Sequence, residues 1–294
     1  MIMTNKKIAV IGGDARMSSA ADVLAEAGFE CALFGADMTK GRHADNVTRC
    51  MALQDALTDA VACVLPLPYS VDGIRINCPS GSSDIRLQKL FEQLTPNILI
   101  CGGRFDSTAD AYAHRAGVKL VDYYSREEFC IANTAPTAEG AIAIAMNELP
   151  VTICNSNVIV YGCGRVARTL ALTLGALHAK VTVAARKSED LVWAKINGFF
   201  PHYIYDLPNG HFDAVFNTVP APVLTREILS AFDEGTLIVE LSSRPGGIDM
   251  PAASELGMRV VWALSLPGKV APVSAGRALG DCLISILKEN GVEP

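Results

Sequence analysis

The chain has 294 residues, half of them apolar, a formal net charge of −6 and nine cysteines. A mild acidic balance without a basic cluster excludes nucleic acid as the main partner, because neutralising phosphates takes a concentrated cationic face. No uncharged apolar run reaches the ~18 residues of a membrane span, no leader pattern opens the chain, and the cysteines are dispersed without metal-ligand spacing; a reduced, cytoplasmic protein with no metal site and no membrane partner is expected.

Strand and helix patterns then alternate, the sequence form of an α/β protein with parallel sheets. KKIAVIGG reads as a buried strand ending in glycine, followed by a helix over residues 16–28 and a second strand, FECALFG. This opening has only Gly12-Gly13 and then Asp14. A carboxylate at that helix N-terminus repels a pyrophosphate, so a second cofactor site is not expected here. Asp14 is either a helix N-cap or, with Arg16, a group that handles substrate. Further strands are predicted at VACVLP, NILICGG and KLVDYY, and the Pro-, Gly- and Ser-rich stretch 65–83 reads as a functional loop. In Cys101-Gly102-Gly103-Arg104 the glycines suit close backbone approach, and Arg104 is either a carboxylate anchor or a surface charge.

Residues 125–150 change character. Polar caps lead into a long Ala/Ile/Met helix, with Thr134 or Thr137 as N-cap and Pro136 in the first turn. So apolar a helix must be buried over much of its surface. The expected organisation is an N-terminal α/β substrate domain over 1–130, a bridging helix over 131–150, a Rossmann domain over 151–264, and a loop and C-terminal helix over 265–294 that pack back towards the first domain. The fold class is α/β, with two doubly wound Rossmann-like domains and an interdomain cleft.

The segment NVIVYGCGRVARTLALTLGALHAKVTVAAR carries the strongest motif. A buried strand runs into Gly162, the G-x-G-x-x-A turn formed by Gly162, Cys163, Gly164, Arg165, Val166 and Ala167 brings backbone N–H groups to a pyrophosphate, and a helix begins there with its positive end facing the phosphates. Arg165 adds a charge beside them. The second strand ends in Ala184-Ala185-Arg186-Lys187-Ser188, where an acidic residue would read an unmodified ribose. Arg186, Lys187 and Ser188 suit a 2′-phosphate instead, which predicts NADP. Two later strand-end loops complete the expected site: Asn217-Thr218-Val219-Pro220, passing the nicotinamide ribose, and residues 241–247 with Arg244.

The second half resembles the cofactor domain of D-2-hydroxyacid dehydrogenases in NTVPAPVLTREIL, SSRPGGIDMPA and APVSAG. That likeness implies that Arg244 binds a substrate carboxylate. The position of the family's catalytic histidine is Val273 here, which argues against a reversible alcohol oxidation, since that reaction needs a proton acceptor near pH 7.

Taken in order, IAVIGGDAR, NTAPTAEGAI, GCGRVARTLA, the strand ending AAR, ELSSRPGG and LPGKVAP resemble the dipicolinate synthase A-subunit family over nearly the whole chain. The resemblance implies NADP-linked oxidation of a dihydrodipicolinate-type ring to pyridine-2,6-dicarboxylate, a compound of bacterial endospores. It also implies a second polypeptide, the dipicolinate synthase B subunit. The substrate would be a small anionic cyclic dicarboxylate, so cations and hydroxyls should converge on it: Arg244, Lys269, Asn133, Thr134 and Arg16 are the candidates, with Glu139 or Asp14 to take the proton. Lys269 is otherwise a solvated lysine of a Pro-bounded loop, and Glu139 a first-turn helix residue. A homo-oligomer is expected. The competing readings are another NADP-dependent dehydrogenase of 2-hydroxyacid or imine type, and a non-catalytic NADP-binding subunit.

Overall fold

The computed structural model describes residues 6–39, 43–79 and 84–294. Residues 80–83 of the expected functional loop lie outside them. Among the described residues the strands form two parallel six-stranded sheets, each belonging to its own compact unit. Unit 1 takes Met1–Asn133 together with Ala271–Pro294, and unit 2 takes Thr134–Val270.

In unit 1, β1 (Lys7–Ile11), α1 (Ala15–Glu26), β2 (Glu30–Phe34), β3 (Val47–Arg49), α2 (Leu53–Leu57), β4 (Ala60–Val64), α3 (Leu87–Glu92), β5 (Leu99–Gly102), α4 (Ser107–Ala116), β6 (Lys119–Asp122) and α5 (Glu127–Ala132) follow in chain order. The strand order is β3-β2-β1-β4-β5-β6. Central strands such as KIAVI are buried on both faces, as parallel strands covered by helices must be. One apolar layer gathers Val10, Leu24, Leu33 and Val64, the other Ile11, Leu65, Leu90 and Ile100.

Unit 2 runs through α6 (Thr134–Glu148), β7 (Asn157–Tyr161), α7 (Arg165–Ala176), β8 (Lys180–Ala185), α8 (Ser188–Ile196), β9 (Phe200–Tyr203), β10 (Ala214–Asn217), α9 (Arg226–Leu229), β11 (Leu237–Glu240), α10 (Met250–Glu255), β12 (Arg259–Trp262) and α11 (Leu266–Val270). Its order, β9-β8-β7-β10-β11-β12, reverses direction beside β7, so the turn after β7 lies at the switch point where ligands of open α/β sheets gather.

The last helix, α12 (Pro272–Glu289), is covalently distant from the rest of unit 1 but packs on α1 within it. Its glycines permit this. A Cβ on Gly276 would stand 2.5 Å from Arg16 O and Ser19 Cβ, and one on Gly280 would stand 2.5 Å from Val23 Cβ. Two glycines one helical turn apart thus let the two backbones approach closely.

Three local expectations need correction. The bridging segment is two helices, α5 and α6, separated at Asn133, which C-caps α5. Thr134 is the first residue of α6 rather than a residue preceding it. Residues 266–270 are a short helix, α11, so Lys269 lies on a helix and not in an extended loop. None of the helices among the described residues is long and apolar enough to cross a membrane.

Candidate functional site

The two units place a strand–turn–helix at the same topological point, and the turns differ chemically. In unit 1, Asp14 is the N-cap of α1 and accepts from the Arg16 N–H. The Arg16 guanidinium closes on the same carboxylate, Nε to Oδ1 at 2.9 Å and Nη2 to Oδ2 at 2.9 Å, and Nη2 also donates to Leu67 O. The turn is covered as well: the Gly13 N–H donates to Asn77 O at 2.9 Å, and a Cβ on Gly12 would meet Ile76 and Cys78. Residues 66–78 therefore occupy the space a phosphate group needs. Both roles open to Asp14 in the sequence are narrowed by this, since it is a cap and an ion-pair partner at once.

In unit 2 the corresponding turn is open. Gly164 is the N-cap of α7 and no side chain caps that helix. A Cβ added to Gly164 would find nothing within 4 Å, and both Gly164 and Arg165 are exposed. Gly162 has φ +107, and a Cβ on it would stand 2.3 Å from Thr218 Oγ1 and 3.1 Å from Val219 Cγ2. The backbone N–H groups of the first turn of α7 thus begin at an open space, one that a side chain at position 164 would enter. These are the features a pyrophosphate cradle requires, and a nicotinamide dinucleotide fits the residues present.

The rest of the turn is braced. Arg168 Nε donates to Cys163 O at 2.9 Å, Nη2 donates to Asp190 Oδ1 at 2.9 Å, and the guanidinium lies 4.9 Å over the Trp193 ring. The half-buried Cys163 thiol is pushed above its usual range by desolvation, which outweighs the hydrogen bond from Arg168. These surroundings disfavour the thiolate, the form a nucleophilic cysteine uses. At the end of β8, Arg186, Lys187 and Ser188 are all exposed, with no carboxylate among them.

The strand-end loops after β10 and β11 hold each other. Thr218 donates both its N–H and its hydroxyl to Tyr161 O, at 3.0 and 2.8 Å. Asn217 sits differently from the expected ribose contact. It is fully buried, and its carboxamide donates to both oxygens of Glu240 and to Val219 O while accepting from the Val219 N–H. It shapes the turn that presents Thr218, Val219 and the exposed Pro220. In the next loop Arg244 is exposed, with its guanidinium 4.9 Å above the Trp262 ring.

The remaining candidates are spread over both units. Lys269 on α11 and Glu139 on α6 are exposed. Thr134 is buried, with its hydroxyl 2.8 Å from that of Thr169. Asn133 ends α5 in unit 1. Arg104, at φ +62, places its guanidinium over the Tyr124 ring at 5.1 Å, and a Cβ on Gly102 or Gly103 would meet Phe105, Leu67 or Tyr123. Those two glycines serve packing inside unit 1 and not approach to a ligand. Sequence reasoning missed Glu240, Trp262, Arg168 and Tyr69. Glu240 had a visible signal, a lone carboxylate at the end of the apolar run LIVE. Tyr69 Oη donates to Asp106 Oδ1 at 2.6 Å and so holds the 66–78 loop down, a contact with no local sequence mark.

Comparison with known proteins decides the family. Residues 7–124 match the model of the N-terminal domain of the dipicolinate synthase A subunit. The dipicolinate synthase A subunit of Bacillus subtilis (strain 168) is 32% identical over 291 residues, covering 98% of each chain. The chain belongs to the dipicolinate synthase A-subunit family. The crystal structure of the family member from Bacillus halodurans, 30% identical, superposes with a TM-score of 0.85 over 98% of this chain and 99% of that one. A transhydrogenase from Sinorhizobium meliloti shares the fold at 17% identity, with a TM-score of 0.71 over 97% of this chain and 93% of its own. The family membership agrees with the ordered motifs from IAVIGGDAR to LPGKVAP, and the two doubly wound sheets are the α/β architecture expected of a family member.

Proposed function

We propose that the chain is the A subunit of a dipicolinate synthase, a cytoplasmic NADP-linked oxidoreductase that converts a dihydrodipicolinate-type cyclic dicarboxylate to pyridine-2,6-dicarboxylate. The observation that carries this is the contrast between the two turns: the open, uncapped one before α7 suits a pyrophosphate, whereas the one before α1 is filled by its own carboxylate and loop. Family membership supports the proposed substrate class.

Gly162, Gly164, Arg165 and Val166 would hold the pyrophosphate, Thr218, Val219 and Pro220 the nicotinamide side, and Arg186, Lys187 and Ser188 a 2′-phosphate. Arg186 and Lys187 stand exposed at the strand end, with no carboxylate at 184–188, which supports NADP over NAD; Lys187 Nζ lies 3.9 Å from Glu189 Oε1, so Arg186 is the principal candidate for the 2′-phosphate. When bound, the cofactor accepts the hydride that the ring gives up. One proton leaves the ring with it, and aromatisation of the product favours the forward direction.

On the substrate side, Arg244 and Lys269 are proposed to bind the carboxylates, with Asn133 and Thr134 lending polar contacts. Arg16 is better suited to holding Asp14 than to binding an anion, because that carboxylate already engages its guanidinium. Of the two proton acceptors, Glu139 is favoured for the same reason. The protein is expected to work with a B subunit and to form a homo-oligomer.

The test mixes the purified chain with dihydrodipicolinate and NADP, with and without the B subunit, and follows dipicolinate formation. Turnover dependent on NADP is the expected result. No turnover in either mixture overturns the proposal.

A further inference from the structure

Glu240 is the last residue of β11 and is completely buried. Its two oxygens are satisfied entirely by donors that are not cations. Oε1 accepts from the Ser242 N–H at 2.8 Å and Oε2 from the Gly247 N–H at 2.9 Å, and the Asn217 amide donates to both, at 3.0 and 2.8 Å. A buried carboxylate is costly unless every lone pair is used, so this one marks a place where the chain needs two strong acceptors at one point.

The two backbone donors are the ends of one loop. Between Ser242 and Gly247 the chain leaves the sheet and returns, carrying Arg244 at its tip. The glycines at its far end let it return close to the acid: a Cβ on Gly246 would stand 3.2 Å from Glu240 Oε2, and one on Gly247 would stand 2.4 Å from Val219 O. Trp262 fixes the outside of the same loop, donating from Nε1 to Ser242 O at 3.2 Å and lying under the Arg244 guanidinium. Asn217 then joins the loop to the turn that packs on Gly162, through Val219.

We infer that Glu240 is a positioning residue: its carboxylate is the internal template of the 242–247 loop, it sets where Arg244 stands, and through Asn217 it ties that loop to the cofactor turn. This rests on the reading of Arg244 as a substrate-carboxylate anchor. The chemistry explains why the residue is an acid and not its amide. Glutamine has one acceptor oxygen, so either the Ser242 or the Gly247 N–H would face an NH2 group whichever way the amide turned.

The experiment has a structural and a kinetic arm, both on the full chain. Amide hydrogen exchange at Ser242 and Gly247 is measured in the wild type, in Glu240→Gln and in Glu240→Asp, which keeps two acceptor oxygens on a shorter stem. The emission of Trp262 is followed in a Trp193→Phe background, since the chain has two tryptophans. Expected are protected amides in the wild type, exchange faster by roughly tenfold or more in Glu240→Gln, partial recovery in Glu240→Asp and a changed Trp262 emission. In the kinetic arm Glu240→Gln raises the KM for the dicarboxylate by roughly tenfold or more while kcat changes less, and adds nothing further in an Arg244→Ala background. Unprotected amides in the wild type, unchanged exchange and emission in Glu240→Gln, or a KM effect that multiplies with that of Arg244→Ala overturns the inference. Should the wild type not oxidise dihydrodipicolinate either with or without the B subunit, the proposed function fails while exchange and emission still decide the loop. Should Glu240→Gln not fold, wild-type exchange and Glu240→Asp decide it.

Discussion

A Cβ atom on Gly162 would stand 2.3 Å from Thr218 Oγ1, and Thr218 cannot retreat without giving up its two hydrogen bonds to Tyr161 O. The turn before α7 is thereby moulded against the strand-end loop of β10. Gly162→Ala must strain both φ, at +107, and this contact. A loss of about 2 kcal/mol in stability is expected, read as a lower midpoint in urea, together with weaker NADPH binding in a fluorescence titration.

Gly164 gives the opposite case. Its φ is −77 and a Cβ there meets nothing, so Gly164→Ala should leave the urea midpoint within about 0.5 kcal/mol of the wild type. The added methyl occupies the space proposed for the pyrophosphate, and NADPH affinity should fall at least tenfold. Unchanged affinity would remove the open turn from the cofactor site.

Arg186→Asp places an acid where a 2′-phosphate is proposed to lie. Binding of NADPH should weaken by roughly two orders of magnitude while that of NADH holds or improves, the difference of a charge-assisted bond lost and a repulsion gained. Parallel titrations with the two cofactors check this, and equal losses for both refute the assignment.

The bond from Tyr69 to Asp106 has a pH signature. It is the largest of the effects that hold the Asp106 carboxyl below its ordinary range, backbone donors adding to it. A carboxyl lowered on folding contributes stability that is fully present above its unfolded value and is lost as pH falls through the folded value. Tyr69→Phe should therefore cost about 1 kcal/mol at neutral pH, Asp106 being exposed, and the gap to the wild type should close as pH falls below the ordinary carboxylate range. Urea melts of both proteins across that range decide it.

Between α1 and α12 the room is already used. Gly276→Val or Gly280→Val forces the helices apart at Ser19 or Val23 and should destabilise unit 1 by about 2 kcal/mol or more. Thermal melts with amide exchange resolved by unit should show the loss confined to residues 6–133 and 271–294.

Much of this fold was legible because parallel strands announce themselves. KIAVI, NVIVY and LIVE are short apolar runs bounded by glycine or polar turns, and each became a buried strand. The three residues of β3 were not legible, being a half-exposed edge without an apolar run. In the candidate site, Gly162 and Gly164 could be read from local spacing because a glycine turn between a strand and a helix is a local device. The Asp14–Arg16 pair was visible only as two adjacent charges, and that Arg16 spends itself on Asp14 depends on rotamers. Asn217 was expected beside the nicotinamide ribose, and its side chain turns instead to Glu240, a partner in the neighbouring strand, because register across a sheet is not written in spacing.

That α12 belongs to unit 1 inverts the order in which the two halves can be completed. Unit 2 is one continuous stretch, Thr134–Val270, whereas unit 1 waits for Ala271–Pro294 to cover α1. During synthesis the amino-terminal half therefore leaves the ribosome first and finishes last, its α1 face bare while an entire second sheet is made. A chain released at residue 270 would hold all of unit 2 and leave the apolar face of α1 uncovered, the species that a chaperone would meet.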